Sequence, residues 1–101
     1  MDKEDIRQLI NDKEDLFVKL EFEELVLVDL KTDEKEYAMD LWINTDWSEV
    51  IEGRPTDKTK KAYVDAKLRE VKEFVEKKEI EIKSIEREIE IIDYKMMFLG
   101  V

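Results

Sequence analysis

Asp40, Asp46 and Glu49 fall within ten positions of one another beside Trp42 and Trp47. Carboxylate oxygens grouped in this way are what Mg²⁺ or Ca²⁺ takes as ligands. The spacing does not fit an EF-hand calcium loop, and a second role accounts for two of the three. Asp46 followed by Glu49 has the form of a capping box, in which each carboxylate accepts a hydrogen bond from an otherwise unpaired N–H at a helix start. No metal or cofactor is therefore expected. The chain has no histidine and no cysteine, which removes the commonest general base, thiolate nucleophiles, disulfides and both Ser-His-Asp and Cys-His chemistry. The Glu-x-x-His pairs of di-metal helical bundles cannot be built either. Nothing selects a glycosidase-like pair from the 28 acids. The expectation is a protein with no catalytic residues that is not an enzyme.

Two charged surfaces remain as candidates for binding. Arg54, Lys58, Lys60, Lys61, Lys67, Arg69 and Lys72 form the one basic cluster, with Tyr63 inside it and Trp42 and Trp47 nearby. Cations interleaved with aromatic rings suit phosphate contact and base stacking. Against this, Asp57, Asp65, Glu70 and Glu73 interrupt the cluster, and it could simply neutralise an acidic neighbouring helix. The opposite surface is the row Asp2, Glu4, Asp5, Asp12, Glu14 and Asp15, continued by Glu21, Glu24, Asp29, Asp33 and Glu36. Carboxylates repeated at such intervals could occupy the basic groove of a nucleic-acid-handling protein, although acidic helices also serve merely to keep small proteins soluble. Trp42 and Trp47 either cap the end of a helical bundle or form a binding hot spot. The partner-binding expectation is placed on Trp42, Trp47, Glu21, Glu24, Asp29, Asp33 and Glu36. Nucleic-acid contact through Arg54, Lys58, Lys60, Lys61 and Lys67 is the alternative.

The elements that must hold these residues are legible from periodicity. At 101 residues, 43% hydrophobic and 46% charged, with one proline and two glycines, the chain reads as a single domain of amphipathic helices. A heptad register from Ile6 places Ile6, Leu9, Lys13, Leu16, Leu20, Glu23, Leu27, Leu30, Glu34, Tyr37 and Leu41 on one stripe. A second register places Val64, Leu68, Val71, Val75, Lys78, Ile82, Ile85, Ile89, Ile92, Met96 and Leu99 on another. The run FVKLEFEELVLVDL over 17–30 begins with strand-like alternation and supports a rival strand or hairpin. The heptad continues on both sides of it without a turn residue, so helix is preferred.

Between the registers, 44-NTDWSEVIEGRPT-56 collects the only proline, Trp47 and Gly53. WSEVIE reads as a short helix, Gly53 as a left-handed residue that closes it, and Thr56 as the N-cap of the last helix, with Asp57 in its first turn. The expected organisation is an all-α, antiparallel two-helix hairpin over 1–101: a first helix over about 3–42, a connector with a short helix over 43–56, and a second helix over 57–99. Folding back aligns residues whose numbers sum to 105, such as Leu30 with Val75 and Leu20 with Ile85, and brings Glu23 near Lys78 as a partly buried ion pair. Residues 1–53 hold 17 acids and 6 bases while 54–101 hold 11 acids and 12 bases, so the halves attract.

Much apolar surface is left over. Ile10, Phe17, Phe22, Leu25, Val26 and Val28 on the first helix, and Phe74, Ile80, Ile91, Tyr94, Met97 and Phe98 on the second, lie off the main stripes. A homodimer forming a four-helix bundle would cover many of them. The start of the chain is acidic rather than basic and then apolar, and no apolar run approaches the roughly 20 residues of a membrane span. A cytoplasmic protein without a membrane partner is expected.

The segment 42–68 resembles a group of small phage-encoded helical, coiled-coil proteins of Gram-positive bacteria. The resemblance is carried by Thr45-Asp46-Trp47-Ser48-Glu49, by Arg54-Pro55-Thr56 and by Lys61-Ala62-Tyr63. It implies a phage-type accessory protein in the cytoplasm of a bacterial host, and it transfers no catalytic residue. Within such a group, an acidic decoy or inhibitor of a basic host protein of defence or DNA metabolism is the favoured expectation. A replication or recombination accessory, or scaffold, that contacts single-stranded DNA is the alternative.

Overall fold

A computed structural model describes residues 3–100. Three helices follow in order: α1 (Lys3–Asn44), α2 (Trp47–Val50) and α3 (Asp57–Phe98). The fold is the all-α helical hairpin read from the heptads, and no strand occurs among the described residues. The run 17–30 is helical throughout. Its strand-like alternation is overridden because the positions half-buried in the structure, Leu16, Leu20, Glu23, Val26, Leu27 and Leu30, keep the i, i+3, i+4 spacing of a helix.

α1 runs two residues past the expected 42. The Asn44 side-chain amide donates to the Asp40 carboxylate at 2.6 Å, one turn earlier, which favours extending the last turn to Asn44. Asp46 then starts α2: its extended backbone turns the chain, and its carboxylate accepts the Ser48 N–H at 3.2 Å and the Ser48 hydroxyl at 2.6 Å. The carboxylate thus caps at Ser48, one residue before the Glu49 position of the expected capping box. Gly53 has φ +82°, a conformation glycine adopts at no steric cost. The reciprocal cap forms instead at α3. The Thr56 hydroxyl accepts from the Thr59 N–H at 3.3 Å, and the Thr56 N–H donates to the Thr59 hydroxyl at 3.0 Å, so threonine fills the place usually held by Glu or Gln.

The chain divides into two compact units, one made of stretches 1–27 and 77–101, the other of 28–76. In the first, Ile82, Ile85, Ile89 and Ile92 are buried, with Ile6, Leu9, Leu16, Leu20 and Leu27 of α1 half-buried. Two ion pairs join its helices: Lys13 to Asp93, and Lys78 to Glu23 at 2.5 Å. Their residue numbers sum to 106 and 101, on either side of the expected 105. In the second unit Val64, Leu68 and Val75 are buried, while Val71 of α3 and Leu30 and Leu41 of α1 are half-buried.

Candidate binding surfaces

The second unit gathers the aromatic residues around the turn. α1 ends with Trp42 in its last turn, α2 begins at Trp47, and α3 places Tyr63 two turns after its cap. Trp42 and Trp47 have ring centroids 5.7 Å apart at a 57° tilt, and Trp47 meets Tyr63 edge-on at 5.6 Å and 83°. These are the tilted and edge-to-face arrangements that aromatic quadrupoles favour. The Lys60 ammonium lies 5.6 Å from the Trp47 ring centroid and that of Lys67 lies 5.5 Å from Tyr63, both within cation–π range.

This cluster joins members of both expected sites. It unites Trp42 and Trp47 with Lys60 and Lys67. It also sets two cations of the expected nucleic-acid surface, half-buried Lys60 and exposed Lys67, against its rings, and Lys72 faces Asp65 at 3.7 Å. Arg54, Lys58 and Lys61 are exposed. Trp47 and Tyr63 are half-buried among these contacts, and Trp42, at 39%, is the most exposed of the three rings.

The five carboxylates of the partner-binding expectation are exposed, Glu21 and Glu24 in the first unit and Asp29, Asp33 and Glu36 in the second, while Asp12 of the same acidic row is half-buried and Asp2 lies outside the described residues. None of the five belongs to an ion pair among the described residues. Asp29, Asp33 and Glu36 follow i, i+4, i+7 spacing and share one face. In the first unit, by contrast, Glu23 points inward. Its side chain is 15% exposed, that of Lys78 20%, and Lys78 also donates to Glu81 at 2.8 Å. The hydrogen bond to Glu23, with that to Glu81 next, raises the Lys78 ammonium above its ordinary pKa of 10.5. The hydrogen bond from Lys78 lowers the Glu81 carboxyl below its ordinary 4.5. Both shifts favour the charged forms.

The metal-ligand reading of Asp40, Asp46 and Glu49 meets two competing roles, since Asp40 accepts from Asn44 and Asp46 caps α2. Among the described residues no group of three or more acids is placed to hold a metal ion, and no helix is long and apolar enough to cross a membrane. Three features escaped the sequence reading: the Lys13–Asp93 pair, Glu81 as a second partner of Lys78, and Thr59 as the partner of Thr56. Lys13 and Lys78 each interrupt an apolar register, and a charge in that position calls for a counter-charge, so the signal for both pairs was present. Comparison with protein-family models, with curated proteins and with solved structures finds no significant match to this chain.

Proposed function

We propose that the chain is a phage-type accessory protein of the bacterial cytoplasm that acts by macromolecular binding. In this reading it is an acidic decoy or inhibitor of a basic, nucleic-acid-handling host protein. The observation that carries it is the contrast between the two charged surfaces. Glu21, Glu24, Asp29, Asp33 and Glu36 are exposed and outside any ion pair among the described residues, whereas Lys60, Lys67 and Lys72 of the basic stretch engage Trp47, Tyr63 and Asp65. A surface meant for a partner keeps its charges available. The rival, single-stranded DNA contact through Arg54, Lys58, Lys60, Lys61 and Lys67, has fewer free cations and fewer open ring faces to work with.

Self-association into a four-helix bundle belongs to the same proposal. The chain exposes 8169 Å², against about 6,100 Å² for a typical folded monomer of 12.2 kDa. The difference, about 2,000 Å², exceeds the roughly 800 Å² that each partner contributes to a standard interface. The stretch 77–101, with six acids and five bases, is better balanced for contact between copies than 1–27, with nine acids and four bases.

The decisive experiment captures partners from bacterial lysate on the immobilised protein at low and high salt. The decoy reading expects a basic nucleic-acid-binding protein that added DNA displaces and that a Glu21→Gln, Glu24→Gln, Asp29→Asn, Asp33→Asn, Glu36→Gln variant no longer holds. Direct retardation of labelled single-stranded DNA at low salt, lost when Lys58, Lys60 and Lys61 are neutralised, would establish the rival instead.

A further inference from the structure

We propose that the outer face of α1 between Glu14 and Leu25 is a docking surface for an amphipathic helix whose apolar stripe is rimmed by Lys or Arg. This rests on the reading that the partner is basic, and it specifies what that partner presents.

Val18, Phe22 and Leu25 follow i, i+4, i+7 spacing, so they form one row on the helix. None belongs to the seam stripe of Leu16, Leu20, Glu23 and Leu27. They are 68%, 62% and 64% exposed, so the row contributes little to the packing of its own unit. A surface that imitated the charge of nucleic acid alone would need no such row. An apolar row at this spacing is the complement of a partner helix with anchors at the same spacing.

The charges around the row select the sign of the occupant. Residues 14–25 hold five acids and one base. Glu23 turns inward to Lys78, leaving Glu14, Asp15, Glu21 and Glu24 exposed with Lys19. A second copy placing its own α1 here would set carboxylates against carboxylates, and its α3, with eleven acids and eleven bases, offers no net positive charge to compensate. Nucleic acid is disfavoured by its sign. A helix with a leucine-type stripe and basic flanks satisfies both the row and its rim.

The test uses two peptides of about 18 residues, five helical turns, both composed only of Leu and Lys. One has its leucines at i, i+3, i+4 and i+7; the other is the same composition scrambled so that no face is apolar. Titration into the full chain at physiological salt should show the patterned peptide binding at least about tenfold more tightly than the scrambled one. Phe22→Ser should remove most of that preference, while Tyr94→Ser on α3 leaves it intact. Far-UV circular dichroism would establish that both variants remain helical. Equal binding of the two peptides would overturn the docking row while leaving a charge-only decoy standing. Absence of binding by either would overturn both readings. Preference unaffected by Phe22→Ser would place the patterned peptide elsewhere and overturn the proposal. So would a concentration-dependent dimer in sedimentation equilibrium that Phe22→Ser abolishes, since a second copy would then be the occupant.

Discussion

α1 and α3 are each 42 residues long and both follow heptads, yet among the described residues all seven buried side chains belong to α3 and none to α1. The composition of the seams explains the difference. α3 contributes mostly Val and Ile, whose branched side chains sit close to the backbone, while α1 contributes mostly Leu. The seam of α1 is also interrupted by charge three times, at Lys13, Glu23 and Glu34, against once on α3, at Lys78, while β-branching holds the α3 side chains stiffly in place. Away from the seam the helices differ again. Nine large apolar side chains of α1 off its stripe are exposed, including Phe17, Val18, Phe22 and Leu25, against six on α3. α3 thus organises the core, and α1 carries more apolar surface than the hairpin uses.

The largest effect should come from reversing polarity on each helix in turn. Ile85 is 4% exposed, so Ile85→Asp buries a charge without a counter-charge and should cost about 4 kcal/mol or more, enough to unfold the hairpin. Its neighbour Glu86 is exposed, and Glu86→Lys should fall within about 0.5 kcal/mol of the parent. The matching change on α1, Phe22→Asp, should also stay within about 0.5 kcal/mol. Urea titrations followed by circular dichroism would measure all three. A Phe22→Asp cost equal to that of Ile85→Asp would break the contrast, because it would make the outer row of α1 part of the core.

Next comes the aromatic cluster, where the two helices meet α2. Trp47 touches Trp42, Tyr63 and Lys60 while remaining half-buried. Trp47→Ala should cost about 2 kcal/mol, below the range for a fully buried tryptophan. Trp42, more exposed and touching fewer rings, should cost less when changed to Ala. Unequal thermal shifts in that order would support the cluster as the cap of the second unit, whereas a negligible Trp47 effect would free both tryptophans for a binding role.

The difference between these regions also decides what was legible in sequence. The seam was readable because Ile82, Ile85, Ile89 and Ile92 recur at helical spacing, and periodicity encodes burial directly. The Glu23–Lys78 pair was readable because each residue breaks an apolar register in the same region of the folded hairpin. The Lys13–Asp93 pair was half-readable: Lys13 marks the need for an acid, but Asp93 sits beside the stripe among many acids. The engagement of Lys60 by Trp47 could not be read, because the angle between α2 and α3 depends on the backbone around Gly53 and Pro55 and leaves no periodic trace, whereas Tyr63 and Lys67 stand i, i+4 on α3 and their contact was readable. The favoured acidic residues were readable as exposed, but exposure alone does not name a partner.

A smaller effect should appear when a polar junction of the seam is removed. Lys78→Met leaves Glu23 without its cation and should destabilise less than Ile85→Asp, since water still reaches both groups. Its pH dependence is the sharper measurement. The raised pKa of Lys78 means that its contribution is complete below the ordinary 10.5 and declines as pH climbs through the raised value. The lowered pKa of Glu81 means that its contribution is complete above the ordinary 4.5 and declines as pH falls through the lowered value. The stability difference between parent and Lys78→Met should therefore be flat across the neutral range and shrink at both extremes. A difference independent of pH would show that the methylene stem of Lys78, rather than its charge, supports α3.

The smallest effect is expected at the start of α3. Thr56→Ala removes the acceptor for the Thr59 N–H and one partner of the paired hydroxyls, which should cost about 1 kcal/mol. Asp46→Ala removes the cap of α2, a helix of four residues that supports little beyond Trp47, and should cost less. Thr59→Glu tests whether the reciprocal cap is a matter of geometry or of threonine itself. A glutamate at that position can also reach the Thr56 N–H, so the variant should lie within a few tenths of a kcal/mol of the parent. If Thr59→Glu is instead as damaging as Thr56→Ala, the hydrogen bond from the Thr59 hydroxyl to the Thr56 carbonyl, 2.9 Å long, must contribute as much as the cap. The helix that forms the core would then depend on its first turn more heavily than its length suggests.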